Sequence, residues 1–210
     1  MVIIYQKFFS LEHEKRERII NAALKEFARN GYERASTNEI IKEAEISKGS
    51  LFSYFNSKKE LYLFLFDYVN EIIEKIYEET DWSDTDIFKR MKSIGLAKFK
   101  IYKRFPQAFD FIKSAAFEDA AEVKFEIKKF SSGLVERGFE KGYKNIDFTK
   151  FRDDIDVKKT IDIINWTVLS FSEQQRNRVN SIEDVGMEIL SEWDVYFDIM
   201  KRCFYKKEEQ

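Results

Sequence analysis

An all-α fold follows from three features of the sequence. Proline occurs once and glycine seven times in 210 residues, too sparse for a turn-rich β architecture. Apolar residues recur at helical spacing in one segment after another. Serines suited to capping (Ser36, Ser47 and Ser57) stand at the head of three of those segments. Together the pattern predicts about nine helices, three of them in an N-terminal helix-turn-helix unit and the rest in a larger C-terminal body.

The first strong helix covers about residues 12–30, with Ile19, Ile20, Ala22, Ala23 and Phe27 as its apolar stripe and Gly31 as its stop. Ser36 heads a short helix over 37–44, with Glu39 placed to close a capping box and Ile40, Ile41 and Ala44 on the inner side. Ser47 heads another over 47–54, where Leu51 and Phe55, four apart, share one face. Its opposite face carries Lys48, Gly49, Ser50, Ser53 and Tyr54, which are small, cationic or hydrogen-bonding groups. Two short helices about a tight turn, the second offering such a face, suit a DNA major groove. Ser57 then heads a long helix to about 81–83, with Leu61, Phe64, Leu65, Val69, Ile72 and Ile76 inward.

Helices over 84–104, 106–117 and 120–142 follow, the second opened by Pro106 at a position where proline is tolerated. Ile87, Phe88, Met91, Ile94, Phe99 and Tyr102 face inward in the first of them. Residues 143–156 are polar and read as a loop or a short turn of helix. Two helices over 157–178 and 182–206 complete the chain. In the first, Ile161, Ile164, Val168 and Phe171 align, and Ile163, Trp166 and Leu169 widen the stripe. In the second, Ile182, Val185, Ile189, Trp193, Tyr196, Met200 and Cys203 align, with Gly186 permitting close approach. Stripes this wide need cover on more than one side. Intramolecular packing alone is one explanation, and a four-helix interface between two copies is the preferred one.

Composition narrows the function classes. Residues 1–60 carry 11 lysine and arginine against 9 aspartate and glutamate, while the remaining 150 carry 25 against 29, so a mild positive excess sits only at the N-terminal end. The single cysteine, Cys203, rules out an internal disulfide and any multi-cysteine metal site, and its position predicts a small buried hydrophobe. His13 is the only histidine and falls in no Ser–His or Cys–His arrangement, and there is no phosphate-cradling glycine loop, so an enzyme is not expected. No cofactor or metal is implied. The apolar start, MVIIYQKFF, is too short to span a membrane and lacks the marks of a signal peptide, and a soluble cytoplasmic chain is expected. The 21 phenylalanines and 10 tyrosines admit two readings, an aromatic-lined cavity or a bias of the coding sequence.

Three blocks in register carry a specific resemblance: Ala23 to Tyr32 (A-x-x-x-F-x-x-x-G-Y), Ala44 to Leu51 (A-x-I-S-K-G-S-L) and Tyr54 to Leu61 (Y-F-x-S-K-x-E-L). Over about residues 14–62 the chain resembles the N-terminal domain of TetR/AcrR-type transcriptional regulators. The resemblance implies an N-terminal helix-turn-helix DNA-binding domain over 1–58 and a C-terminal helical ligand-binding and dimerisation domain over 59–210. It implies a homodimer, through the helices at 157–178 and 182–206, on a partly palindromic double-stranded DNA operator.

Position by position, the resemblance places Ser36, Thr37 and Asn38 against the phosphate backbone and Lys48 on a phosphate or a guanine edge. It places Gly49 and Ser50 close to the bases, Phe52 and Tyr54 along the sugar–phosphate rail or a thymine methyl, and Lys58 as a phosphate clamp. Ser47, a cap first, can also touch phosphate. Two positions depart from the family pattern. Phe52 stands where tyrosine is common and loses a phosphate hydrogen bond. Glu45 stands where the turn commonly holds glycine; a left-handed backbone there costs about 1 kcal/mol, and its carboxylate faces phosphates.

A ligand that changes the tilt of the long helix from Ser57 would alter the spacing of the two heads and release repression. Phe88, Met91, Phe99, Phe109, Phe130 and Trp166 are the candidates to line a site for an apolar or amphipathic small molecule. The alternative is a dimeric ligand-binding helical protein whose DNA recognition is weakened or lost.

Overall fold

The computed structural model describes residues 5–178 and 188–207. Ten α-helices lie among them: α1 Gln6–Phe9, α2 His13–Arg34, α3 Thr37–Glu43, α4 Lys48–Tyr54, α5 Lys58–Glu79, α6 Ile87–Arg104, α7 Pro106–Ala115, α8 Lys124–Tyr143, α9 Val157–Arg178 and α10 Glu188–Phe204. A 3-10 turn covers Phe148–Lys150, in the polar segment expected to be loop or short helix. The all-α expectation holds. Four details differ, each for a local reason.

The N-terminal apolar segment forms a helix of its own, because Phe8 is buried among Phe55, Phe64 and Tyr54 at ring separations of 5.0, 5.2 and 6.0 Å. The first long helix does not stop at Gly31. That glycine bends it (φ 68°, ψ 179°) and the helical turn resumes as far as Arg34. Helix α6 starts at Ile87 rather than 84 because the Asp86 carboxylate accepts the backbone N–H groups of Phe88 and Lys89 at 3.0 and 3.2 Å, an N-cap. Helix α8 starts at Lys124 rather than 120. The turn before it is held by the Glu118 carboxylate, which accepts the N–H of Ala120 at 3.0 Å.

The chain packs as two compact units, residues 1–78 with 104–139 and residues 79–103 with 140–210. This grouping runs across the sequence division at 58/59. The reason is that α7 packs along α2, so the helix-turn-helix shares a unit with α5, α7 and most of α8. The core of the first unit is rich in aromatic rings: Phe27, Tyr32 and Tyr62 meet edge or face, and Phe111 lies 5.2 Å from Tyr62.

In the second unit, Ile87, Phe88, Ile164, Phe171, Trp193, Phe197 and Met200 form one buried cluster, joined by Phe151. Arg90 is also buried there; its guanidinium donates to the carbonyls of Trp82, Asp84 and Lys144 and lies over the Trp82 ring. Helix α9 turns Ile164 and Phe171 into this cluster, with Ile161 and Val168 packed beside them, and leaves Ile163, Trp166 and Leu169 on the outside. Helix α10 turns Trp193, Phe197 and Met200 inward and leaves Val195, Tyr196 and Ile199 exposed. Cys203 follows that outer side and is exposed, not the buried hydrophobe expected, because the core side of α10 continues through Phe204. The expected contributions of Ile182, Val185 and Gly186 lie outside the described residues.

Candidate nucleic-acid interface

Helix α4 is short and held at both ends. The Ser47 hydroxyl accepts the N–H of Ser50 at 3.1 Å, the expected N-cap, and the first turn closes through Leu51 N–H to the Ser47 carbonyl at 3.2 Å. Leu51 and Phe55 are each 1% exposed and pin one side to the core. The opposite side presents Lys48, Gly49, Phe52 and Ser53 to solvent, with Ser50 and Tyr54 half-buried at its edges. Ser53 donates to the Ser50 carbonyl within the same helix at 2.8 Å. Among the described residues the Lys48 ammonium has neither a hydrogen bond nor an ion pair.

The turn between α3 and α4 is a left-handed one. Glu45 adopts φ 55°, its N–H donates to the Lys42 carbonyl at 3.3 Å, and the Ile46 N–H reaches the Ile41 carbonyl at 3.1 Å. This is the double closure of a Schellman end, which glycine fits best. The expectation drawn from Glu45 is therefore met: a side chain occupies a backbone region that costs about 1 kcal/mol.

At the start of α3 the predicted capping box does not form. Ser36 makes no side-chain cap, and its own N–H is accepted by Glu26 of α2 at 2.8 Å, which pre-empts Glu39. Asn30 donates to the same carboxylate oxygen at 2.9 Å. The Ser36 and Thr37 hydroxyls are thus unspent on capping at a helix N-terminus, and Asn38 is exposed beside them.

Lys58, expected as a phosphate clamp, donates its ammonium protons to the carbonyls of Glu33 and Ala35 at 3.1 and 3.3 Å and lies 4.7 Å from the centre of the Tyr32 ring. The reason is the bend at Gly31, which brings the last carbonyls of α2 over the first turn of α5. Lys59 pairs with Glu126 at 2.8 Å, and that contact holds the Glu126 carboxyl below its ordinary range.

The six ring and thioether candidates for a ligand site are divided between the two units. Phe109 and Phe130 belong to the first unit, where Phe130 packs on Phe66 at 4.7 Å. Phe88 is core in the second unit and Met91 packs against that core, while Phe99 lies under the Lys103 ammonium. Trp166 is 66% exposed, so it faces away from the interior and not into a pocket. Two open grooves in the first unit involve none of the six: one of about 540 Å³ between α2 and α7, lined by Lys25, Arg29, Lys113 and Phe117 among others, and one of about 180 Å³ beside Phe9 and Tyr68. Among the described residues no group of histidine, cysteine and carboxylate side chains could hold a metal ion, and no helix is long and apolar enough to cross a membrane.

Two contributors to this surface carried no readable sequence signal. Glu26 reaches Ser36 from ten residues upstream, a spacing that belongs to no capping pattern. Phe8 precedes the first amphipathic segment, and only its place in the aromatic run Tyr5–Phe9 hinted at burial.

Known proteins share this arrangement. Residues 19–64 match the model of bacterial regulatory proteins of the tetR family. An uncharacterized HTH-type transcriptional regulator of Bacillus subtilis (strain 168), YuxN, is 49% identical over 55 residues, which is 26% of this chain and 19% of that protein. IcaR, the HTH-type negative transcriptional regulator of the biofilm operon icaADBC in Staphylococcus aureus, is 24% identical over 162 residues, 75% of this chain and 80% of that one. The crystal structure of a TetR family transcriptional regulator from Chloroflexus aurantiacus J-10-FL superimposes with a TM-score of 0.70 at 24% identity, covering 96% of this chain and 98% of that one. Residues 19–64 thus match the helix-turn-helix of the tetR family, and the helical fold around them is shared along nearly the whole length with a structure at 24% identity.

Proposed function

We propose that the protein is a homodimeric repressor that reads a partly palindromic operator with two copies of α4 and leaves it when an apolar or amphipathic small molecule binds the C-terminal helices. The observation that carries this reading is the outer side of α4: an unpaired lysine, a glycine and small hydroxyls on a helix anchored by two buried apolar residues. Lys48 would meet a phosphate or a guanine edge, and Gly49 and Ser50 would let the backbone approach the bases. Ser36, Thr37, Asn38 and Ser47 would hold phosphates from the N-terminal ends of α3 and α4, with Phe52 and Tyr54 against the sugar–phosphate rail. Lys58 contributes by holding the end of α2. In this division of labour residues 1–58 read DNA and 59–210 bind ligand and partner.

The dimer would form through the outer sides of α9 and α10. Ile163, Trp166 and Leu169 are 43, 66 and 63% exposed, three large apolar side chains on the side of α9 away from its core. Val195, Tyr196 and Ile199 continue such a surface on α10. Two copies of this pair would make the four-helix interface that the stripes predict, setting two heads about 34–36 Å apart for successive major grooves. Repression is supported by IcaR, itself a negative regulator. The half-buried apolar groups, Phe109 and Phe130 in one unit and Met91 and Phe99 in the other, offer surface to an effector of matching character. A regulator acting on operator DNA in a bacterium works in the cytoplasm.

Binding of the full-length chain to random-sequence duplex at about 50 and 200 mM salt tests the reading. Binding that weakens steeply with salt is expected, and Lys48→Ala should lower the logarithmic salt slope by about one contact. A dimer that binds no duplex, or binds it without salt dependence, would instead be a ligand-binding protein that has lost DNA recognition.

A further inference from the structure

The bend in α2 is stapled from a distant part of the chain. At Gly31 the helix departs from helical geometry (φ 68°), and the N–H of Tyr32 starts a fresh turn with no preceding regular turn to receive it. That N–H donates to the Glu118 carboxylate, 86 positions later, in the segment joining α7 to α8. The other carboxylate oxygen accepts the N–H of Ala120. A single charged group therefore ties the α7–α8 segment to the end of α2 within one compact unit.

Gly31 is needed here on two counts. Its φ is one that L side chains rarely adopt, and a Cβ at that position would stand 2.8 Å from a Glu118 oxygen. What lies downstream of the bend is the reading head. Tyr32 packs on Tyr62 at 5.0 Å, and six residues after Gly31 α3 begins at Thr37, leading directly to α4.

We propose that Glu118 is a positioning residue for DNA reading. By accepting the Tyr32 N–H it fixes the angle of the α2 bend and with it the presentation of α3 and α4. This rests on the regulator reading above. Glu118 touches no DNA, so removing it changes affinity without changing the number of phosphates neutralised.

The test uses the full-length chain, a duplex selected by the wild-type protein from a random pool, and the Glu118→Ala and Glu118→Gln variants. Three quantities are read: affinity, the salt slope of affinity, and amide exchange at Tyr32. Glu118→Ala should weaken binding about tenfold, the worth of one charge-assisted hydrogen bond, leave the salt slope unchanged and speed exchange at Tyr32. Glu118→Gln, which keeps one acceptor oxygen, should recover most of the affinity even if the alanine variant folds poorly. Unchanged affinity and exchange in both variants overturn the proposal alone, and a salt slope reduced by one contact overturns it in favour of a direct electrostatic role. A wild-type chain that selects no duplex overturns the regulator reading and the proposal with it.

Discussion

Replacing Lys58 by methionine separates two roles that the sequence cannot distinguish. Methionine keeps most of the aliphatic stem and removes the charge, so packing is conserved while the polar contacts go. In the folded protein the ammonium donates to the Glu33 and Ala35 carbonyls at 3.1 and 3.3 Å, and its attraction to the Tyr32 ring acts over 4.7 Å. Hydrogen bonds from a charged group are worth about 1.5–3 kcal/mol when well formed, and these are long and partly solvated, which brings the pair toward the lower figure. A cation over an aromatic face at a partly exposed site adds about 0.5–1 kcal/mol, and a positive charge at a helix C-terminus a further ~0.3–1 kcal/mol. The expected loss is about 2–3 kcal/mol. Urea unfolding of the full-length chain, without DNA and at matched protein concentration, should show a lower midpoint at an unchanged slope. DNA affinity should fall while its salt slope stays. The reasoning is refuted if the unfolding midpoint is unmoved and the salt slope drops by about one phosphate contact, the behaviour of a clamp on DNA.

Other expectations are equally direct. Glu45→Gly relieves the left-handed strain and removes a carboxylate from the reading side, so duplex affinity should rise, by about threefold or more at low salt, when measured by fluorescence anisotropy. If the proposed interface is correct, Trp166→Asp combined with Leu169→Asp should leave a monomer in sedimentation equilibrium where the wild type is a dimer, with helical content intact, since both side chains lie outside the core. Tyrosine ionisation should unfold the protein in strong alkali. Burial, aided by the Glu17 carboxylate, pushes the Tyr68 phenol up to about 12, and burial does the same for Tyr143. Unfolded phenols ionise near about 10, so this stabilisation is whole below that pH and is lost as pH rises toward 12. Circular dichroism across that range should show a transition that begins above pH 10.

Three kinds of feature were legible in the sequence. Helices of two turns or more announced themselves through apolar spacing, because an amphipathic helix must present one face to a core whatever that core is. The Ser47 cap and the buried pair Leu51 and Phe55 were also readable, since each is decided by neighbours within one helical turn, while the left-handed turn at Glu45 was implied by the family resemblance. The double-sided apolar character of α9 was visible as a widened stripe, and its aligned set, Ile161, Ile164, Val168 and Phe171, is the side that meets the core, with Ile163, Trp166 and Leu169 outside.

Contacts between distant segments were out of reach. Local spacing points to Glu39 as the partner of the Ser36 N–H, which Glu26 occupies, and it gives no sign that the end of α2 engages the Lys58 ammonium. The aromatic candidates for a ligand site were chosen by size and face, which says nothing about whether they converge; Trp166 points outward and Phe88 is ordinary core.

The sequence by itself determined that this chain is helical, where the short helix α4 lies and which residues that helix turns outward, because periodicity, caps and turn chemistry are local properties of the backbone. Only the tertiary structure decided which charged side chains are already spent on holding the head together. Glu26, Lys58 and Glu118 are each satisfied by backbone groups many residues away, and no local pattern records where a folded chain will bring an unpaired N–H or carbonyl.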